Sequence, residues 1–271
     1  MKYLIIALLV IILWGCSGED VVNVDSIPPA KPDLIHHLGD TGDGGTSSYP
    51  GANYYNLSSQ PELENNGIDA DDEGDFIQLK WWNLPDTDID YLEIFRFTLQ
   101  DFQNDSLDFV TKIDSIDYNN QTQYLDMNAP IFKNLFYFIS VVDEAGNFTY
   151  SDTVCYKLLH QPSVLGPPSE ITVSPQVMNQ TEFSWWEDES GTVINYRLLL
   201  FDENRNLIWQ YEPLDLEDPS VIYNGPNIDS GTTVTWRLDA FGHDLFNVEI
   251  FDQEFTVHSG SESAERVLYV Q

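Results

Sequence analysis

Asp69, Asp71, Glu73 and Gly74 stand at the spacing of the first half of an EF-type calcium loop, where carboxylates at alternate positions converge on one ion. The bidentate acid such a loop needs at its twelfth position is Lys80 here. The expectation is a solvated acidic loop, with Asp69, Asp71 and Glu73 as the calcium candidate and no other cofactor or metal. Asp86, Asp88 and Asp90 read as ordinary turn chemistry. The glycine-rich run from Gly39 to Gly45 carries Asp40 and Asp43 and lacks the Lys-Ser/Thr ending of a phosphate cradle, so anionic phosphate is excluded. His36, His37, His160, His243 and His258 are scattered, and no nucleophile elbow or His-Glu-x-x-His motif occurs. The chain is expected not to be an enzyme. Cys155 alternates with Val154 and Tyr156 on a candidate strand, which points its thiol away from the core as a spectator.

The aromatic residues carry more information. Alternation along the strands that hold them sends Trp81, Trp185, Tyr137 and Trp236 inward and their neighbours outward. Trp82 and Trp186 then lie on the outer face of one sheet. Phe95, Phe97, Phe136 and Phe138 form a stripe on the outer face of the other sheet in the first half of the chain. Exposed apolar patches of this kind mark contact with something, so these six residues are the candidate ligand-binding surface, for a protein or a glycan. The alternative is that the chain's own acidic insertion folds over the stripe.

What must position these residues is a β framework. The 271 residues hold 42% hydrophobic and 13% aromatic side chains, enough for packed cores. A net charge of −34 repels phosphate backbones and excludes nucleic acid as a partner. Period-two runs at 76–82, 91–97, 108–116, 135–142, 148–158, 182–186, 196–201, 207–211, 234–241 and 250–258 lie between Gly, Asn, Asp and Pro turns, and predict an all-β chain. Trp81-Trp82 followed by Tyr91 is repeated by Trp185-Trp186 followed by Tyr196, which sets the count at two modules. The predicted organisation is a leader over 1–15, a tether over 16–26, a first module over 27–160 with a long acidic insertion at 38–75, a linker at 161–168, a second module over 169–258 and a tail over 259–271.

Two resemblances add to this. Met1-Lys2-Tyr3, the ten apolar residues 4–13 and Leu13-Trp14-Gly15-Cys16 resemble a bacterial lipoprotein signal peptide, since the run is too short for the roughly 20 residues of a membrane-spanning helix. The resemblance implies acylation at Cys16, with the membrane a partner through that anchor alone. No Asp stands immediately after Cys16, and Ser17-Gly18-Glu19-Asp20 resembles the acidic export signals of surface lipoproteins. The implied location is the cell envelope, as a surface-exposed outer-membrane lipoprotein. Acylation of the Cys16 thiol leaves Cys155 without an intramolecular disulfide partner, so the cores must hold the fold.

The second resemblance rests on Pro28-Pro29-Ala30-Lys31-Pro32, on Trp82-Asn83-Leu84-Pro85-Asp86, on Glu93-Ile94-Phe95-Arg96 and on Val141-Val142-Asp143-Glu144-Ala145-Gly146-Asn147. In the second copy it rests on Gly166-Pro167-Pro168-Ser169, on the run 230–240 and on Phe255-Thr256-Val257 as the closing strand. Their order is similar to that of bacterial fibronectin type III domains, which implies two immunoglobulin-like (fibronectin type III-like) β-sandwiches in tandem. The family's strand-F corner tyrosine falls on Leu135 and Val234, so its hydrogen bond is expected to be missing. The function implied is non-catalytic binding, adhesion or scaffolding at the cell surface. The alternative is a carbohydrate-binding accessory lipoprotein or a component of a carbohydrate-active enzyme.

Overall fold

The computed structural model describes residues 25–35, 68–71, 74–104, 109–186, 190–204, 206–212 and 219–271. Cys16, His36, His37, Glu73 and most of the acidic insertion lie outside the described residues. The fold is all-β, with two short helices among the described residues, Leu99–Gln103 and Pro175–Met178. No helix among the described residues is long and apolar enough to cross a membrane.

In the first module β1 (Ile68–Asp71), β2 (Gly74–Lys80) and β5 (Gln123–Asp126) form one antiparallel sheet, extended by a bridge from Leu34 to Trp81. The opposing sheet runs β4 (Thr111–Asp117), β3 (Ile89–Thr98), β6 (Leu135–Asp143), with β7 (Phe148–Tyr150) and β8 (Val154–Leu158) both paired to β6. Period-two alternation turns Ile77, Leu79 and Trp81 against Leu92, Ile94, Leu135, Tyr137, Ile139 and Val141. Each such buried side chain contributes about 1.5–3 kcal/mol relative to exposure.

The second module repeats the plan. β9 (Val164–Gly166), β11 (Glu182–Trp185) and β14 (Ser220–Ile222) face a sheet of β13 (Leu207–Tyr211), β12 (Val193–Phe201), β15 (Thr233–Gly242), β19 (Arg266–Val270) and β10 (Ile171–Val173). Phe183 and Trp185 pack on Tyr196, Leu198, Leu200, Trp236 and Leu238. In both modules the pairing separates one three-stranded sheet from a sheet whose successive neighbours are the second, first and third long strands. That is the strand order of a fibronectin type III-like sandwich.

The organisation differs from expectation at the second module's edges. The linker stretch 161–168 contains β9, which is part of that module's first sheet. The closing strand is not Phe255-Thr256-Val257 but β19, within the stretch expected as a tail, and it pairs with both β15 and β10. Between β15 and β19 stands an insertion with its own hairpin, β16 (Leu245–Ile250) and β17 (Gln253–Val257), followed by β18 (Ser259–Glu262). β18 pairs antiparallel with β15 and parallel with β8 of the first module. The amides of Lys157 and Leu159 donate to the carbonyls of His258 and Gly260 at 3.0 and 2.9 Å. One continuous sheet therefore runs through both modules.

The corner hydrogen bond is also replaced rather than lost in the first module. Tyr137, two residues beyond Leu135, donates its hydroxyl to Asp126 Oδ2 at 3.0 Å, and Arg96 donates to the same carboxylate. Burial and the Asp126 charge push the Tyr137 hydroxyl well above its ordinary range, so it stays a neutral donor. Trp236 holds the matching position in the second module, with the Arg266 guanidinium 5.6 Å from its ring centroid.

Candidate functional site

The outer face of the first module's larger sheet carries the predicted stripe, and the register explains why it is aromatic. Phe95 stands directly opposite Phe138 and Phe97 opposite Phe136 across β3 and β6, so each pair stacks, at 4.9 and 5.2 Å between centroids. One half of this face is covered. Phe97 is 2% exposed and Phe136 is fully buried, against Val248, Ile250, Phe255 and Val257 of the β16–β17 hairpin. The cover is thus a hairpin of the second module, which corrects the expectation that Phe97 and Phe136 lie free. Phe255 meets Phe136 edge to face at 5.6 Å. Phe251, at the hairpin tip, sets its ring 5.5 Å from Phe102 and 6.1 Å from Phe109, beside Phe97.

The other half is open. Phe95 and Phe138 are half-buried, and beyond them Tyr150 and Phe148 on β7 are 48% and 54% exposed. Tyr150 lies edge-on to both Phe95 and Phe138, at 6.1 and 5.6 Å, and touches Phe148 at 5.4 Å. The alternation over 148–158 places Phe148 and Tyr150 on a strand but not in the candidate surface; the run is two strands, β7 and β8, both paired to β6.

Trp82 and Trp186 both face solvent, Trp186 more fully at 65% against 37%, while Trp81 and Trp185 are buried. The two outward tryptophans therefore occupy the matching place in each module, just after the β2 and β11 strands. The structure does not bring them together with the phenylalanine face, which belongs to the opposite sheet.

Asp69 and Asp71 lie on β1, in an antiparallel hairpin where Ala70 opposes Asp75 and Asp71 opposes Gly74. Asp71 Oδ1 accepts from the Gly74 amide at 3.1 Å, and Lys80 pairs with Gln123. Asp69 and Asp71 thus share one side of an extended strand, while the third candidate ligand, Glu73, lies outside the described residues. A different carboxylate group was not legible: the side chains of Asp25, Asp88 and Asp143 offer oxygens within 4.8 Å of one another. Asp143 is already engaged, accepting from the amides of Ala145 and Asn147 at 2.9 and 2.8 Å and from Asn147 Nδ2 at 2.9 Å. Burial opposes its ionisation, but these donors outweigh it and hold the carboxyl below its ordinary range. Asp86 likewise serves as a brace, accepting from the Ala30 amide at 2.8 Å.

Cys155 points outward from the first core, as its alternation implied, but lies under the hairpin, donating to the Thr256 carbonyl at 3.4 Å. Burial pushes its thiol up to about 12, the opposite of what a nucleophile needs. His258 Nδ1 meets Asp244 Oδ2 at 2.9 Å, and His160 packs edge-on against Phe132. At the module junction Asp75 Oδ1 accepts from Ser261 Oγ at 2.7 Å. Burial there outweighs this bond and those from the Glu262 and Gln161 backbones, and raises the Asp75 carboxyl to about 6.

No protein-family model matches the sequence, and no curated protein is similar to it. Among solved structures the chain is similar to the fibronectin(III)-like modules of Clostridium thermocellum CbhA, at 15% identity over 72% of this chain and 85% of that one, with a TM-score of 0.24. It is similar to the chicken CNTN1 FN1-FN3 domains, at 12% identity, 62% and 55% coverage and a TM-score of 0.28. A pectate lyase, Pel3 from Pectobacterium carotovorum, matches at 14% identity over 40% of this chain and 31% of its own, with a TM-score of 0.25. The chain spans about a third of the lyase and about half of the chicken fragment. The strand pairing itself defines the two sandwiches.

Proposed function

We propose that this chain is a lipid-anchored protein of the cell envelope, tethered through Cys16 and displayed at the surface of the outer membrane, whose two sandwiches serve non-catalytic binding, adhesion or scaffolding. The observation that carries the reading is the β16–β17 hairpin of the second module packed on the aromatic face of the first. With the shared β8–β18 pairing, it couples the two modules through a buried apolar contact, as suits a protein that presents a surface in a set orientation. Cys16→Ala should release the chain from membranes and abolish labelling by a fatty-acid analogue. Protease added to intact cells should then degrade the wild-type chain. An unchanged membrane fraction overturns the anchor, and full protection from protease overturns surface display.

A second reading, carbohydrate binding as an accessory lipoprotein or component of a carbohydrate-active enzyme, is favoured by Trp82 and Trp186, which are exposed at equivalent places in the two modules. An indole with a free face stacks on a sugar ring, and Trp186 is open enough to do so. Titration with soluble polysaccharides should quench tryptophan emission under this reading and leave it unchanged under the first. Quenching lost in Trp186→Ala would make the second reading the correct one.

A further inference from the structure

We infer that the open half of the first module's aromatic face, formed by Phe95, Phe138, Phe148 and Tyr150, docks an extended apolar segment of a partner polypeptide that carries basic flanking residues. The inference rests on the non-catalytic binding reading and deepens it by naming the partner's chemistry.

Continuity comes first. The same sheet face, one residue pair further along β3 and β6, is already occupied by a polypeptide in extended conformation: Val248 and Ile250 from one strand of the hairpin and Phe255 and Val257 from the other. Their period of two matches the spacing of the sheet beneath. The hairpin's buried cluster ends at Phe97 and Phe136 and takes in Phe138 only at its margin, so the open half continues an interface of known composition. Phe148 and Tyr150 are about half exposed, and together with Phe95 and Phe138 they make one contiguous set of ring contacts.

Ring geometry favours a polypeptide over a sugar. Phe95 and Phe138 are inclined by 12° and turned face to face, with Tyr150 inclined to them by 71° and 81°. The two phenylalanines spend their π faces on each other, and side chains that fill gaps between ring edges suit such a surface better than a pyranose needing a flat face.

Charge supplies the flanks. Residues 245–257 contain Glu249, Asp252 and Glu254 and no Lys or Arg. Glu249 stands directly opposite Glu254 with both exposed, on the hairpin face turned away from the sheet that Val248, Ile250, Phe255 and Val257 cover. At the open end Lys112 stands opposite Phe95 and is bonded to Glu93 at 2.7 Å, and Asp117 stands opposite Tyr91. With −34 overall, the chain repels an acidic partner and favours a basic one.

The test is photo-crosslinking of the full chain in its own cells, with Tyr150→p-benzoylphenylalanine as the probe and Trp186→p-benzoylphenylalanine as the control position. The expected result is one discrete protein adduct at 150 that is absent at 186. Its crosslinked peptide should show alternating apolar residues with Lys or Arg on both sides. A synthetic copy of that peptide should bind the purified full chain, about tenfold or more weaker in Phe148→Ser/Tyr150→Ser, and weaker at high salt. The double variant should melt like the parent, because both residues are half exposed. The inference is overturned by no adduct at 150, by an adduct with a second copy of this chain, by an acidic or wholly polar crosslinked peptide, or by a glycan that binds the parent and not the double variant. Crosslinking proceeds in whichever compartment holds the chain, so a failed anchor or surface experiment leaves this one intact.

Discussion

Truncating Phe255 to alanine removes the hairpin ring that touches the first module most directly, and its cost can be set from the geometry. Phe255 is 6% exposed and meets the fully buried Phe136 edge to face, at 5.6 Å and 82°. Loss of a buried phenylalanine costs about 3–5 kcal/mol when the site cannot collapse, and an edge-to-face pair supplies about 0.5–1.5 kcal/mol of that beyond area. Phe136→Ala should cost a similar amount. If the rings meet in solution, the double variant must lose less than the two single variants together, by about 0.5–3 kcal/mol. Urea unfolding of the full chain reads this directly, followed by tryptophan fluorescence, since Trp81 and Trp82 report on the first module and Trp185, Trp186, Trp209 and Trp236 on the second. The parent should unfold in one transition, and the single variants should shift its midpoint with a similar slope. Losses that simply add, within about 0.3 kcal/mol, would refute the packing of the hairpin on Phe136. Two separate transitions in the parent would refute the coupling of the modules.

Trp185→Ala should destabilise by about 3–5 kcal/mol, because a fully packed indole is removed, whereas Trp186→Ala should stay within about 0.5 kcal/mol; equal losses in thermal melts would mean that the β11 register is wrong. The Asp75 carboxyl, raised from 3.8 to about 6, binds more protons in the folded chain than in the unfolded one between those values. Stability should therefore fall as pH rises from about 4 to 6, by up to about 3 kcal/mol at 1.36 kcal/mol per unit. Asp75→Asn should remove that slope in urea midpoints taken across the window, and an unchanged slope would assign it to another group. Cys155, with its thiol pushed up to about 12 beneath the hairpin, should resist iodoacetamide at pH 8 in the native chain and react once urea unfolds it; rapid native labelling would show that the hairpin lifts readily.

Alternation along single strands was enough to sort Trp81 from Trp82, Trp185 from Trp186 and the inward from the outward residues of β3 and β6, because side-chain direction in a strand is a local property. Which outward face stays free is not local. Phe136 is covered by hairpin residues more than 100 positions away, Phe97 by the same hairpin together with Phe102 and Phe109, and nothing in their own strands distinguishes them from the open Phe95 and Phe138. The closing strand was misassigned for the same reason. Phe255-Thr256-Val257 does alternate as a strand should, but its partner is β16 rather than the second module's sheet. The true closing strand, Arg266–Val270, carries the same alternation, with Leu268 and Val270 buried. The Asp25, Asp88 and Asp143 group likewise assembles from three places far apart in sequence: the segment before Pro28, the loop before β3 and the end of β6.

The hairpin itself was hidden by its turn. Two-residue hairpin loops in the left-handed region are signalled by Asn-Gly or Asp-Gly, and here the pair is Phe251-Asp252, at φ 49° and 61°. Phenylalanine in that region is costly on local grounds. The Phe251 ring, though more than half exposed, rests on Phe97, Phe102 and Phe109 of the first module, a tertiary contact that favours a backbone the turn residues alone would not choose. The place where local rules fail is the place where the second module grips the first.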